Sequence, residues 1–150
     1  MRTREAIYHH TQVGRLMPAL TVGAVAIVVV WTAAATRSLL VLLPLLVVAL
    51  VAMVFSTMTI EVIDGELRHH FSFGVWLKRV PLDEIESAAA TTSSWIEGWG
   101  IRVTFRGMLY NVSGTRAVEV RLRSGRQFRL GTDEPEVLLA ALRQAGVPTD

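Results

Sequence analysis

The stretch LMPALTVGAVAIVVVWTAAAT, residues 16–36, and the stretch SLLVLLPLLVVALVAMVFSTMTI, residues 38–60, decide how this chain reads. Arg37 alone separates them, and neither contains a charged residue. Each is about as long as the roughly 20 residues an α-helix needs to cross a hydrocarbon core. The short link Thr36-Arg37-Ser38 leaves no room for a domain, so the pattern predicts a helical hairpin with transmembrane spans over 16–36 and 38–60. Pro18 falls near the start of the first helix. Pro44, about two turns into the second, predicts a kink there. Gly23, Ala24, Ala26, Ala33 and Ala34 offer small surfaces for close helix contact.

Outward from the hairpin, the positive charges lie on one side. Arg2, Arg4 and Arg15 precede the first run, Arg68, Lys78 and Arg79 follow the second, and only Arg37 lies between. The positive-inside bias then predicts a multi-pass protein of the cell inner membrane, integral through two spans, with both termini and the downstream domain cytoplasmic. Trp31 and Arg37 would lie near the outer interface. Neither run holds an ionisable residue, which argues against a transporter or channel. A cleavable signal peptide ending at Ala33-Ala34-Ala35 is the competing reading. It would have a long charged region before it, and the second apolar run would still anchor the downstream domain.

The expected organisation is an N-terminal segment over 1–15, the hairpin over 16–60 and one small domain over 61–147. The chain has 150 residues and a formal charge of +2. From Glu61 onward, 11 Lys and Arg face 12 Asp and Glu, so the domain is near neutral and a nucleic-acid surface is not expected. There is no cysteine, which removes disulfides, thiolate metal sites and cysteine nucleophiles together.

From Thr59 the apolar period changes to two. Ile60 and Val62 alternate with Glu61, and Asp64-Gly65 is a hairpin signal. Leu67, His69, Phe71 and Phe73 then share one face. Strands are expected at 75–80, 85–91, 101–105, 118–122 and 127–130, with a short extended piece at 110–113. Asp133 with Glu136 forms a capping box for a helix carrying Val137, Leu138, Ala141 and Leu142 on one stripe, and Gly146 ends it. The fold class expected is α+β: a two-helix transmembrane hairpin, then an antiparallel β-sandwich or partial barrel of about seven strands capped by a C-terminal helix.

Several short segments in order carry a resemblance. They are Asp64-Gly65-Glu66-Leu67, Arg79-Val80-Pro81-Leu82-Asp83-Glu84-Ile85, Gly98-Trp99-Gly100-Ile101-Arg102, Tyr110-Asn111-Val112-Ser113-Gly114, and Ser124-Gly125-Arg126 through Gly131-Thr132-Asp133-Glu134-Pro135-Glu136. Together they make the chain similar to bacterial pleckstrin-homology-like (PH-like) membrane proteins. That resemblance implies a PH-like fold in a family with few assigned functions. Phosphoinositide-binding members resemble one another in a basic cluster at the first hairpin loop. Here that loop is the short, acidic Asp64-Gly65, and the terminal helix lacks the tryptophan those domains carry. Phosphoinositide binding is therefore not implied.

Trp95, Trp99, Arg102, Tyr110 and Asn111 form the candidate partner-binding set, because aromatics beside arginine are what interface hot spots are built from. The alternative is that Trp99 fills the core and Asn111 satisfies a buried turn. Arg68, Lys78 and Arg79 are candidates for anionic headgroup contact. Arg121, Arg123 and Arg129 are expected on an outward strand face. His69 is expected on the inner face, hydrogen-bonded, with His70 outside. No metal site, cofactor or catalytic constellation is legible: adjacent histidines on a strand point apart, no Gly-rich phosphate loop precedes a helix, and the serines lack a histidine partner. The expected function is a non-catalytic membrane-anchored interaction module that recruits a protein partner. The alternatives are a structural subunit packed through its hairpin, and direct recognition of anionic lipid.

Overall fold

A computed structural model describes residues 6–35, 40, 42–93 and 100–150. In chain order the elements are β1 (Tyr8–Val13), α1 (Leu16–Ala35), α2 (Leu42–Val54), β2 (Thr57–Ile63), β3 (Glu66–Phe71), β4 (Lys78–Pro81), β5 (Ile85–Thr92), β6 (Gly100–Thr104), β7 (Gly107–Asn111), β8 (Arg116–Leu122), β9 (Gln127–Gly131) and α3 (Pro135–Gln144). One sheet runs β1-β2-β3-β4, antiparallel throughout. The other runs β5-β8-β9-β7-β6 and is mixed, because β7 and β9 are parallel.

The apolar alternation predicts which faces meet. Met58, Ile60 and Val62 of β2 and Leu67 and Phe71 of β3 line the inner face of the first sheet. Val118, Val120, Phe128 and Leu130 do so in the second, and α3 adds Leu138, Ala141 and Leu142 against β5 and β8. Each large side chain so buried contributes about 1.5–3 kcal/mol. The β2–β3 turn is the two-residue type expected: Asp64 (φ 54°) and Gly65 (φ 75°) are both left-handed. At the far end, Pro148 and Asp150 exchange backbone hydrogen bonds with Ala88, so the tail covers the outer edge of β5.

No helix among the described residues is long and apolar enough to cross a membrane. This overturns the two-span transmembrane hairpin, and with it the expected integral membrane association and multi-pass inner-membrane location. The physical reason is clearest in the run 38–60. Its helix α2 has 13 residues, about 20 Å at 1.5 Å per residue and short of a core of about 30 Å. The run then turns into β2, where Met58, Thr59 and Ile60 are buried in the sheet. Hydropathy reports absence of charge and does not mark where a helix stops.

The helices occupy a different place in the fold. β1 and β2 are antiparallel neighbours in register from Tyr8↔Val62 to Val13↔Thr57. The Gly14 amide donates to the Ser56 carbonyl at 2.7 Å. The helical pair is thus an insertion in the β1–β2 connection, and the segment 1–15, expected to precede a hairpin, supplies the edge strand of the first sheet. Tyr8 is buried there, and burial pushes its hydroxyl pKa up to about 12.

Smaller corrections come from the same geometry. Pro44 is the third residue of α2, in the first turn, where proline removes no needed donor. A Cβ on Gly23 would meet nothing within 4 Å, so this glycine mediates no close helix contact. Phe73 leaves the inner face of β3 and sits 82% exposed in a turn at Ser72–Gly74. Arg129 is fully buried rather than outward, and its guanidinium donates to the Thr104 hydroxyl at 3.0 Å. The N-cap of α3 is Glu134, whose amide is held by Thr132 Oγ1 at 3.1 Å. Asp133 instead meets His10 Nε2 at 2.7 Å, tying β1 to the start of α3.

Candidate functional site

The lower end of the helical pair is fixed to the first sheet by two adjacent contacts. Phe55, just past α2, packs edge-on to Phe71 with ring centroids 4.9 Å apart. Beside it, the Thr57 amide donates to Ser72 Oγ at 3.2 Å, and the Thr57 and Ser72 hydroxyls lie 2.7 Å apart. Ser72 opens the β3–β4 connection, a segment of apolar residues in which Phe73, Trp76 and Leu77 are exposed. Phe73 and Trp76 both have φ of 60°. Bulky side chains in this left-handed region cost about 1–2 kcal/mol each.

That connection, α1, α2 and β6 enclose a groove of about 630 Å³. Thr21 of α1 and Val48, Val51, Ala52 and Phe55 form one wall, and Trp76, Gly100, Ile101 and Arg102 form the other. The size falls within the roughly 300–1,000 Å³ of small-ligand sites. Arg102 is the one charged residue among the described residues of its lining. Its guanidinium is exposed and has no hydrogen-bond or ion-pair partner among the described residues. A second, wholly apolar groove of about 540 Å³ lies between the helices, lined by Val25, Val29, Leu40, Leu43, Leu45, Leu46 and Ala49.

Of the described members of the expected partner-binding set, only Arg102 lies at this groove. Trp95 and Trp99 lie outside the described residues. Tyr110 and Asn111 are 2% and 1% exposed. Asn111 satisfies a buried turn: its Nδ2 donates to the Gly114 carbonyl at 3.0 Å and its Oδ1 accepts from the Ser113 amide at 3.1 Å. Gly131 packs directly on it, since a Cβ there would lie 2.2 Å from Asn111 Oδ1.

The three headgroup candidates lie on neighbouring strands, with Arg68 opposite Arg79 and Lys78 opposite His69, but their side chains are engaged differently. Arg68 is held by Glu66 at 2.7 Å and Asp64 at 3.5 Å, and the hydrogen bond to Glu66 raises its pKa. Lys78 donates to Tyr110 Oη at 3.2 Å, with its Nζ 5.5 Å and 5.7 Å from the ring centroids of Tyr110 and Phe128. Arg79 is exposed without a partner among the described residues. Arg123, expected on the outward face with Arg121, donates through Nε to the Asp83 carbonyl at 2.8 Å.

His69 lies under this cluster. Its ring is fully buried, 4.6 Å from Tyr110 and 5.9 Å from Phe128, centroid to centroid. Neither nitrogen has a hydrogen-bond partner among the described residues, against the expectation of a hydrogen-bonded histidine. Burial, with a smaller push from Lys78, takes its pKa down to about 3, so the ring is neutral at ordinary pH. Among the described residues no group of three or more His, Asp or Glu side chains could hold a metal ion.

The feature that sequence reasoning missed is Trp76. Phe73, Val75 and Leu77 alternate as in a strand, which hides the left-handed turn that places the indole at the groove. The site as built can take up apolar groups beside one cation. No family model matches the chain, and neither a curated protein nor a solved structure matches it.

Proposed function

We propose that the protein is a non-catalytic binding module that joins a larger protein assembly through its helical pair. The observation that carries this reading is the chemistry of α1 and α2. Neither helix contains a charged residue. Leu20, Val22, Ile27, Val30 and Trp31 of α1 and Leu43, Leu46, Val47, Leu50 and Met53 of α2 are all more than half exposed. So many exposed apolar side chains on two packed helices point to an interaction site. The open apolar groove between the helices adds space for side chains of a partner. The partner is a protein presenting an apolar, uncharged helical face. The PH-like resemblance supports binding over chemistry, and folds of that kind host unrelated binding functions.

The test is the size of the native complex formed by the intact chain and by a Leu46→Lys/Leu50→Lys variant. The two positions are exposed and one turn apart. A defined complex lost in the variant, with the sheet spectrum unchanged by circular dichroism, supports the reading. An unchanged complex refutes it. A second reading would then lead: recruitment of an extended segment along β6. No strand pairs with the outer side of β6 among the described residues, and Val103 within it and Phe105 just past it are 84% and 97% exposed.

A further inference from the structure

We propose that the groove between the helical pair and β6 is a binding site for a long-chain carboxylate. Its hydrocarbon chain would lie along Val48, Val51, Ala52 and Phe55, and its carboxylate would sit on Arg102. The surface is distinct from the outer helical face, because neither Leu46 nor Leu50 lines it.

Three observations point to this ligand class. The described lining of the groove is predominantly apolar, so most of an occupant's contacts would be made by hydrocarbon. Among the described lining residues a single guanidinium marks one place on the wall, and it has no partner among the described residues. A planar fork of this kind pairs bidentately with one carboxylate. Trp76 lines the same groove as Arg102 and is 61% exposed, so an occupant would cover it. A neutral hydrocarbon would leave the cation unused, and a polyanion would find one positive group where it needs several. An amphiphile with one negative head satisfies both parts.

The experiment titrates the intact chain with 11-(dansylamino)undecanoate and with the matching dansylated undecanol, following dansyl emission. Saturable binding of one carboxylate probe per chain is expected, with the alcohol weaker. Arg102→Gln should weaken the carboxylate about tenfold or more, the usual worth of a charge-assisted hydrogen bond, and leave the alcohol unchanged. Ala52→Trp should fill the groove and remove saturable binding of both probes. Val48→Trp, at a half-exposed position, repeats that test without a burial change. The Leu46→Lys/Leu50→Lys variant should bind as the parent does, which separates this site from the assembly surface. Equal affinity for carboxylate and alcohol would overturn the proposal. So would an Arg102→Gln chain that binds like the parent, or probe binding that survives Val48→Trp.

Discussion

At the scale of single residues, the side chains that stand out are polar groups inside the core. His69 is the sharpest case. Its folded pKa is about 3 against an ordinary 6.5. Between those values the unfolded chain binds a proton that the folded chain does not, so stability falls as pH drops below about 6.5 and the loss is complete near pH 3. Between pH 7 and pH 4.5 this one group should cost roughly 2.5 kcal/mol. Urea melts at the two pH values measure it. In His69→Leu the difference should shrink by that amount, and stability at pH 7 should hold or rise because two buried nitrogens without partners are gone. An unchanged pH dependence would show that His69 protonates in the folded state. The Asn111–Gly131 contact gives a second test. Gly131→Ala drives a methyl into Asn111 Oδ1 and should cost about 1–3 kcal/mol. Most of that penalty should vanish in an Asn111→Ala background, and a double-mutant cycle by chemical denaturation reads the coupling. Additive costs would mean that the two residues do not share the strain.

Among the elements, β1 and α2 show what the sequence made legible and what it hid. The Asp64-Gly65 hairpin, β8 and β9 could be read, because each combines a clear period with a turn residue at its end. By contrast, β5 has only a weak pattern through Ala88-Ala89-Ala90. On α3, Leu138, Ala141 and Leu142 are buried as expected, but Leu139 takes the place of the exposed Val137. In β1 the alternation is present but chemically muted. Tyr8, His10 and Gln12 turn inward with only one large apolar residue among them, and polar side chains fall on both faces. The run 38–60 failed for the opposite reason. An uninterrupted apolar string fits a helix and a buried strand equally well, and only the β-branched Thr57, Thr59 and Ile60 near its end favour the strand. At the candidate site, Arg102 could be read as the cation beside an aromatic-rich loop. Trp76 could not, because its position depends on a backbone angle that the residue type disfavours. The placement of β1 yields a prediction. If Tyr8 is part of the core, Tyr8→Ala should cost about 3–5 kcal/mol, as large aromatic truncations do. A free N-terminal segment would lose almost nothing. Thermal or urea denaturation of the full chain separates the two outcomes.

For the molecule as a whole, the decisive fact is that the helices interrupt a β-hairpin instead of preceding a domain. Val13 and Thr57 face each other, and the Gly14–Ser56 hydrogen bond closes the neck of the insertion. The nine strands and α3 among the described residues therefore form a unit whose own connection could be two residues long. Replacing residues 14–56 with Asn-Gly removes the Phe55–Phe71 contact and the Ser56 hydroxyl beside Ser72, and keeps the Thr57–Ser72 pair. The aromatic pair is worth about 0.5–1.5 kcal/mol beyond its buried area. Against that, shortening the closed loop lowers its entropy cost by roughly 2–3 kcal/mol. The two terms differ by only about 1–2 kcal/mol, so the trimmed chain should fold cooperatively with stability close to that of the parent. It should also lose most binding of a dye that reports exposed apolar surface, because that surface lies mainly on α1 and α2. Both properties can be read from one sample, by a thermal melt and by dye fluorescence. A trimmed chain that fails to melt cooperatively would show that the helical pair is part of the folding unit. The division of labour between a β-domain and an inserted docking element would then have to be abandoned for a single body in which helices and sheets fold together.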